Sequence, residues 1–306
     1  MGQTIFLMMR YNTIDKTGFE VSEISFGCMS LKSDGTDNDI IINKAIDAGI
    51  NLFDTADLYE KGENERLLGN ALKGKRKDVY ISTKVGNRWK EDGSGWDWCP
   101  RKEYILKAVD ESLKRLQTDY IDMYLLHGGT IEDPIDETIE AFERLVDMGK
   151  IRSYGLSSIR PNVIWEFVNR SNIATVMTQY SFLDRRPEEE TVNLLLQNKI
   201  SVLARGSMAS GLLIDKPVKD YIGLKTSEVE GIVKELRNNL PEGKTLQETV
   251  VRYVADNPAI TTTVAGIRTL QQLEDLIIAA KTLPLTLQQC EQLQSLWPGN
   301  VYQEHR

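Results

Sequence analysis

Between residues 24 and 281 a short apolar run rich in Val, Ile, Tyr or Phe is followed by a longer stretch of helical periodicity, and the pair recurs eight times. Few folds admit that grammar. The strand-like runs are ISFGCM (24–29), NLFDTAD (51–57), VYISTKVG (79–86), IDMYLLHG (121–128), SYGLSS (153–158), TVMTQYS (175–181), SVLARG (201–206) and TTTVAGI (261–267). Helical stretches follow at 39–48, 63–72, 102–116, 135–148, 161–170, 188–198, then 227–238 and 246–256 within one longer insertion, and 270–281. In the third of these, Ile105, Leu106, Val109, Leu113 and Leu116 recur at spacings of three and four, one face of a helix.

Eight units of about 32 residues each predict an α/β fold, a closed (β/α)8 TIM barrel. An open doubly wound sheet shares the local pattern. However, no GxGxxG follows the first run, and polar residues end several different strands, where barrels place their chemistry. Residues 10–21 carry two β-like runs around KTG (16–18), an N-terminal β-hairpin expected to plug the barrel's bottom. The whole chain, 1–306, is expected to be one barrel domain, with residues 1–9 as a disordered leader.

Charge narrows the partners. Lys plus Arg number 37 against 45 Asp plus Glu, a net charge of -8 that disfavours nucleic acid. The densest basic cluster, KGKRK (73–77), reads as a solvated turn. No apolar run approaches a membrane span, and the N-terminal MGQTIFLMMR is too short for a signal-peptide core. Cys28, Cys99 and Cys290 show no CxxC, which fits a reducing cytoplasm. No residues fall at metal-ligand spacing. A small-molecule ligand and a monomer or weak homo-oligomer are expected.

Four polar residues stand out at strand ends. Asp54 closes the second run, Lys84 lies inside the third, His127 ends the fourth, and Tyr59 follows Asp54 by five residues. A buried lysine is costly without a carboxylate, and neighbouring strands put Asp54 within reach of Lys84. His305 lies in the tail, so His127 is the one imidazole placed for chemistry. A free phenol is a poor acid at neutral pH, and a nearby ammonium eases loss of its proton. The set suits protonation of a carbonyl oxygen and supplies no strong nucleophile, so the attacking group has to come from a cofactor.

The stretches SLKRLQTDYIDMYLLH (112–127) and FDTADLYEKGENERLLG (53–69) closely resemble segments of the aldo-keto reductase family, and the resemblance runs from about residue 18 to 293. It implies NADPH/NADP+ bound in extended form on the barrel, without a Rossmann domain. Tyr59 would protonate the carbonyl oxygen of a small substrate during hydride transfer, Lys84 held by Asp54 would tune it, and His127 would orient the carbonyl.

Cofactor positions are implied in the same way. Gly27, Cys28 and Met29 would lie beneath the nicotinamide, Cys28 as a small buried filler or a reactive thiol. Ser157 and Ser158 stand where the family has Ser-Asn at the carboxamide, and Gln179 matches its carboxamide-binding Gln. Arg205 stands where many relatives stack an aromatic ring on the nicotinamide; it reads either as a stacking guanidinium or as a rim ion-pair residue. Gly206, Ser207, Gly211 and Leu212 match the pyrophosphate loop, with Lys216 beside it. Gly266, Arg268, Thr269, Gln272 and Asp275 match the adenosine segment, where Leu276 replaces a usual Asn. Arg268 at a helix start would favour NADPH over NADH. Trp89, Trp96 and Trp98 read either as an apolar lid over the substrate or as packing for their loop.

The expected activity is reduction of aldehydes and ketones. Its alternatives are an NADP(H)-binding sensor that pairs with another protein, and a barrel using Lys84 as a Schiff-base nucleophile.

Overall fold

The computed structural model describes residues 8–214 and 216–306. Its centre is a closed barrel of eight parallel strands: β3 (Ile24–Gly27), β4 (Leu52–Asp54), β5 (Tyr80–Val85), β8 (Ile121–Leu126), β9 (Ile151–Ser157), β10 (Thr175–Gln179), β11 (Ser201–Arg205) and β12 (Ile260–Gly266). All eight coincide with the apolar runs. Two antiparallel hairpins flank them: β1 (Tyr11–Ile14) with β2 (Phe19–Ser22), and β6 (Asn87–Trp89) with β7 (Trp96–Trp98). The first is the expected N-terminal hairpin. The second occupies a segment read as loop, because its two strands are only three residues long.

The outer ring is α1 (Asn38–Asp47), α2 (Glu63–Ala71), α3 (Lys102–Leu116), α4 (Ile135–Asp147), α5 (Pro161–Arg170), α6 (Thr191–Gln197), α8 (Leu246–Ala255) and α9 (Leu270–Ala280), with α7 (Thr226–Asn238) inserted before α8. A further helix, α10 (Leu287–Ser295), had no counterpart among the expected stretches. It begins with a capping box, Thr286 accepting from the Gln289 N–H while Gln289 accepts from the Thr286 N–H.

Strand alternation divides the core in two. Outward residues such as Phe26, Phe53, Ile81, Val85, Tyr124 and Leu156 pack against the helices. Inward residues Leu52, Met123, Leu125, Met177, Leu203 and Val264 fill the barrel, and Ile14 and Val21 of the first hairpin close it from below. Gly155 permits the tightest strand approach: a Cβ there would sit 2.0 Å from the Thr175 carbonyl oxygen. The expected leader falls mostly on residues 1–7, outside the described residues. Met9 is buried, and Arg10 pairs with Glu23 at 2.9 Å.

Candidate active site

Side chains two residues apart in a strand share a face. Asp54 follows the inward Leu52, Lys84 follows Ser82, His127 follows Leu125, Gln179 follows Met177 and Arg205 follows Leu203 by that step. The pleat therefore gathers them into one ring at the C-terminal mouth, where adjacent registers place Gly27 beside Asp54 and Lys84 beside Leu125.

Lys84 is the centre of the ring. Its ammonium, with 1% of the side chain exposed, donates to both Asp54 carboxylate oxygens at 2.8 and 2.7 Å, to the Thr55 carbonyl at 2.7 Å and to the Tyr59 hydroxyl at 3.4 Å. Burial works against the ammonium, yet the Asp54 carboxylate and Tyr59 lift Lys84 above its ordinary value, so it stays charged. Burial likewise pushes the Asp54 carboxyl up, and Lys84 opposes it.

Tyr59 opens a short turn, Tyr59–Gly62, and its ring meets the His127 ring edge-on, centroids 5.9 Å apart. His127 has a buried Nδ1 with no partner. Burial, and then the Lys84 and Arg205 cations, pull its pKa down to about 3, so the imidazole is neutral at physiological pH.

The turn after Tyr59 runs left-handed: Glu60 has φ 48°, Lys61 φ 58° and Gly62 φ 88°. For the two non-glycine residues that conformation costs about 1–2 kcal/mol each. The Glu60 carboxylate accepts from the Ser33 N–H at 2.8 Å and lies 3.4 Å from the Lys32 ammonium. Burial pushes the Glu60 carboxyl up, but the Ser33 N–H and the Lys32 ammonium together outweigh it and hold Glu60 below the usual carboxylate range. Buried Asn64 ties the same region together: it accepts from the Thr55 hydroxyl at 2.7 Å and donates to the Cys28 and Leu31 carbonyls at 2.9 and 3.1 Å. Neither Glu60 nor Asn64 was singled out from the sequence, although both lie inside the family-like segment 53–69.

An open cleft of about 580 Å³ lies over Tyr59, walled by Met29, Leu58, Lys61, Trp89 and Trp96. Trp96 is half exposed, and Trp89 lies under the Lys61 ammonium at 5.1 Å with its indole N–H unpartnered. Trp98 turns away: its N–H donates to Asp133 at 2.9 Å and its ring fills the space beside Gly86 and Gly128. Of the three tryptophans, two wall the cleft and one packs the loop. Cys28 is fully buried and its thiol is pushed far up by burial, the behaviour of a filler; Met29 is exposed at the rim.

The remaining singled-out residues lie at the ends of β9 to β12 and in the segments that follow them. Ser157 and Ser158 are buried at the end of β9, and the Ser158 Oγ accepts from the Arg160 N–H at 3.2 Å. Gln179 accepts from the Arg205 guanidinium at 2.9 Å and donates to the Tyr221 hydroxyl at 3.1 Å. Arg205 is thus held by an amide, and no carboxylate pairs with it among the described residues. Gly206, Ala209, Ser210 and Gly211 all have positive φ, which winds the backbone tightly around buried Ser207, whose Oγ has no partner. Leu212 is buried, and the Lys216 stem folds over Gly211. Arg268, Thr269 and Gln272 are exposed at the start of α9, where Thr269 caps the helix by accepting from the Gln272 N–H; Gly266 is exposed at the end of β12, and Asp275 is bonded to Gln271. Among the described residues no His, Cys, Asp and Glu cluster could hold a metal.

A second hollow, of about 520 Å³, lies beside the first hairpin at the opposite end. Arg252 pairs there with both Glu23 and Asp256, and Arg10 with Glu23, while exposed Asp15 and Lys199 also line the hollow.

The aldo/keto reductase family model matches residues 23–298. The chain belongs to that family. The uncharacterized oxidoreductase YqkF of Bacillus subtilis (strain 168) is 44% identical over 97% of this chain and 100% of its own length. A solved structure of the aldo-keto reductase AKR11C1 from Bacillus halodurans, holo form, is 46% identical and superposes with a TM-score of 0.92 over 97% of this chain and 99% of that one. The Schizosaccharomyces pombe aldo-keto reductase yakc [NADP(+)] is 32% identical over 63% of this chain and 60% of its own. This aldo/keto reductase is accordingly an oxidoreductase of a family that acts on small carbonyl compounds, and no helix among its described residues is long and apolar enough to cross a membrane.

Proposed function

We propose that this chain reduces aldehydes, and ketones with them, to alcohols using NADPH, with Tyr59 as general acid. The observation that carries the reading is the buried Lys84 ammonium, held by Asp54 and reaching the hydroxyl of Tyr59, a residue that lines the cleft. The bound nicotinamide would supply the hydride. Tyr59 then delivers a proton to the carbonyl oxygen, and the ammonium 3.4 Å away stabilises the phenolate left behind. Neutral His127 has an N–H to donate to the same oxygen and orients it.

The residues present fit such a cofactor. Ser207 keeps a buried hydroxyl without a partner, in a backbone wound tightly enough for close approach. Ser157, Gln179 and Arg205 line the mouth between that loop and the tetrad, and Arg268 at the exposed N-terminus of α9 suits the extra phosphate of NADPH. The name of the yeast relative supports NADP in the same direction. The apolar walls Met29, Leu58, Trp89 and Trp96 favour aromatic and other hydrophobic carbonyls.

The test is oxidation of NADPH, followed by absorbance, with a panel of aromatic and aliphatic aldehydes. Wild-type turnover on aromatic aldehydes and its loss in Tyr59→Phe are expected. A Tyr59→Phe variant as active as wild type would remove Tyr59 from the mechanism.

A further inference from the structure

We propose that Glu60 is a positioning residue: its carboxylate staples the left-handed turn that carries Tyr59 to the β3–α1 loop, and so holds the phenol beside the Lys84 ammonium. The inference rests on the reading of Tyr59 as the general acid. It starts from a conflict in the backbone. Glu60 and Lys61 adopt a conformation that L side chains disfavour, directly after Tyr59, and only Gly62 of the three is suited to it. Such a segment keeps its shape when its surroundings determine it.

The backbone ties of the turn are local: Tyr59 N–H reaches the Ala56 carbonyl at 3.2 Å, Lys61 N–H reaches Leu58 at 3.4 Å, and Glu63 N–H donates to the Glu60 carbonyl. The strong contact leaves the turn: Glu60 accepts from the Ser33 N–H at 2.8 Å, and the Lys32 ammonium lies 3.4 Å from its other oxygen. Lys32 and Glu60 line the same cleft as Tyr59, so one ion-paired hydrogen bond fixes two walls of the cleft to each other. From the opposite side, Lys84 holds the Tyr59 hydroxyl at 3.4 Å. The phenol is therefore held at its oxygen by Lys84 and at its backbone by Glu60.

A staple and a mere backbone preference predict opposite results for glycine. Glycine adopts the left-handed turn freely but carries no carboxylate. If Glu60 acts as a staple, Glu60→Gly fails like Glu60→Ala, while Glu60→Gln, whose amide oxygen still accepts from Ser33, is largely rescued.

The experiment measures aldehyde turnover, NADPH affinity by fluorescence and amide exchange across residues 58–62 in the NADPH-bound protein, with Tyr59→Phe in parallel. For Glu60→Ala and Glu60→Gly, kcat should fall by about tenfold, with KM and NADPH affinity within about twofold of wild type. Exchange across 58–62 should quicken by about tenfold in both and stay near wild type in Glu60→Gln. Wild-type kcat and exchange in Glu60→Ala would overturn the staple. So would a parallel loss of kcat, NADPH affinity and melting temperature, which marks a scaffolding role. Should wild type turn over no aldehyde, the functional reading fails and the exchange data alone decide: quickened exchange in Glu60→Ala supports the staple, and unchanged exchange refutes it.

Discussion

Replacing Lys84 by Met keeps the length of the side chain and removes its charge. Asp54 is then left 4% exposed, without the partner that supplies both of its short contacts at 2.7 and 2.8 Å. Removing one member of a buried ion pair costs about 3–5 kcal/mol, because the other charge stays uncompensated. An unfolding entropy of about 2.1 cal/mol/K per residue over 306 residues gives about 640 cal/mol/K, so the melting temperature should drop by about 5–8 °C. The Lys84→Met, Asp54→Leu double variant removes both charges. Exchanging a buried pair for apolar groups is close to neutral, so it should return to within about 2 kcal/mol of wild type.

Turnover separates the pair's two roles. Both variants lack the ammonium beside the Tyr59 hydroxyl, and both should lose about 10²–10⁴ in kcat, the range of a general-acid contribution. Calorimetric melting and NADPH oxidation on the same preparations read the two effects independently. A double variant no more stable than Lys84→Met would refute the ion-pair reasoning, and wild-type turnover in either variant would refute the link between Lys84 and Tyr59.

Glycines supply a contrast in stability. Gly155→Ala drives a Cβ to 2.0 Å from the Thr175 carbonyl between β9 and β10 and should destabilise by more than about 3 kcal/mol, whereas Gly231→Ala, inside α7 with open space around it, should stabilise by about 0.5–1 kcal/mol in denaturant melts. His127 has its folded pKa pulled down to about 3, below an unfolded value of about 6.5, so the unfolded chain takes up the proton first. Its contribution to stability is complete above pH 6.5 and is lost as pH falls toward 3; His127→Asn should flatten wild-type denaturation midpoints over that window. Arg268→Leu should raise KM for NADPH by about tenfold or more and leave KM for NADH within about twofold, since one charge-assisted contact to a phosphate is worth about 1.5–3 kcal/mol. Equal changes for both cofactors would remove Arg268 from phosphate recognition.

The barrel was legible because each of its strands is covered on both sides, by helices outside and by the core inside. Strands of that kind read as nearly continuous apolar runs, and against such a background Asp54 and Lys84 are conspicuous. His127 was legible by scarcity. The second hairpin was not, because three-residue strands joined through a Gly-containing loop offer no period to detect; its register, Trp89 opposite Trp96, exists only once the strands pair. Helix α10 escaped because LQQCEQLQS buries only Leu293 and presents no continuous apolar stripe. The left-handed conformation of Glu60 has no sequence signal at all, since Gly62 alone advertises the turn. The partnership of Gln179 with Tyr221 joins β10 to an insertion 42 residues later, a distance that local pattern does not bridge.

The two ends of the barrel differ in how their buried polar groups are satisfied. At the hairpin end the buried charges are mutually satisfied: Arg252, 1% exposed, donates to Glu23 and to Asp256, and Arg10 closes the group. Glu23 and Asp256 each have a guanidinium, and a ligand for either would have to displace it. At the mouth the balance differs. The Lys84–Asp54 pair is satisfied, yet the His127 Nδ1, the Trp89 indole N–H and the Ser207 hydroxyl are buried without partners. Unsatisfied polar atoms cost stability in the free protein. They also leave hydrogen-bonding capacity that a bound molecule recovers, and the His127 ring meets the Tyr59 ring edge-on beside the Lys84 ammonium. Fixed charge beside unspent donors at the same mouth is the arrangement that a proton transfer to a bound carbonyl requires.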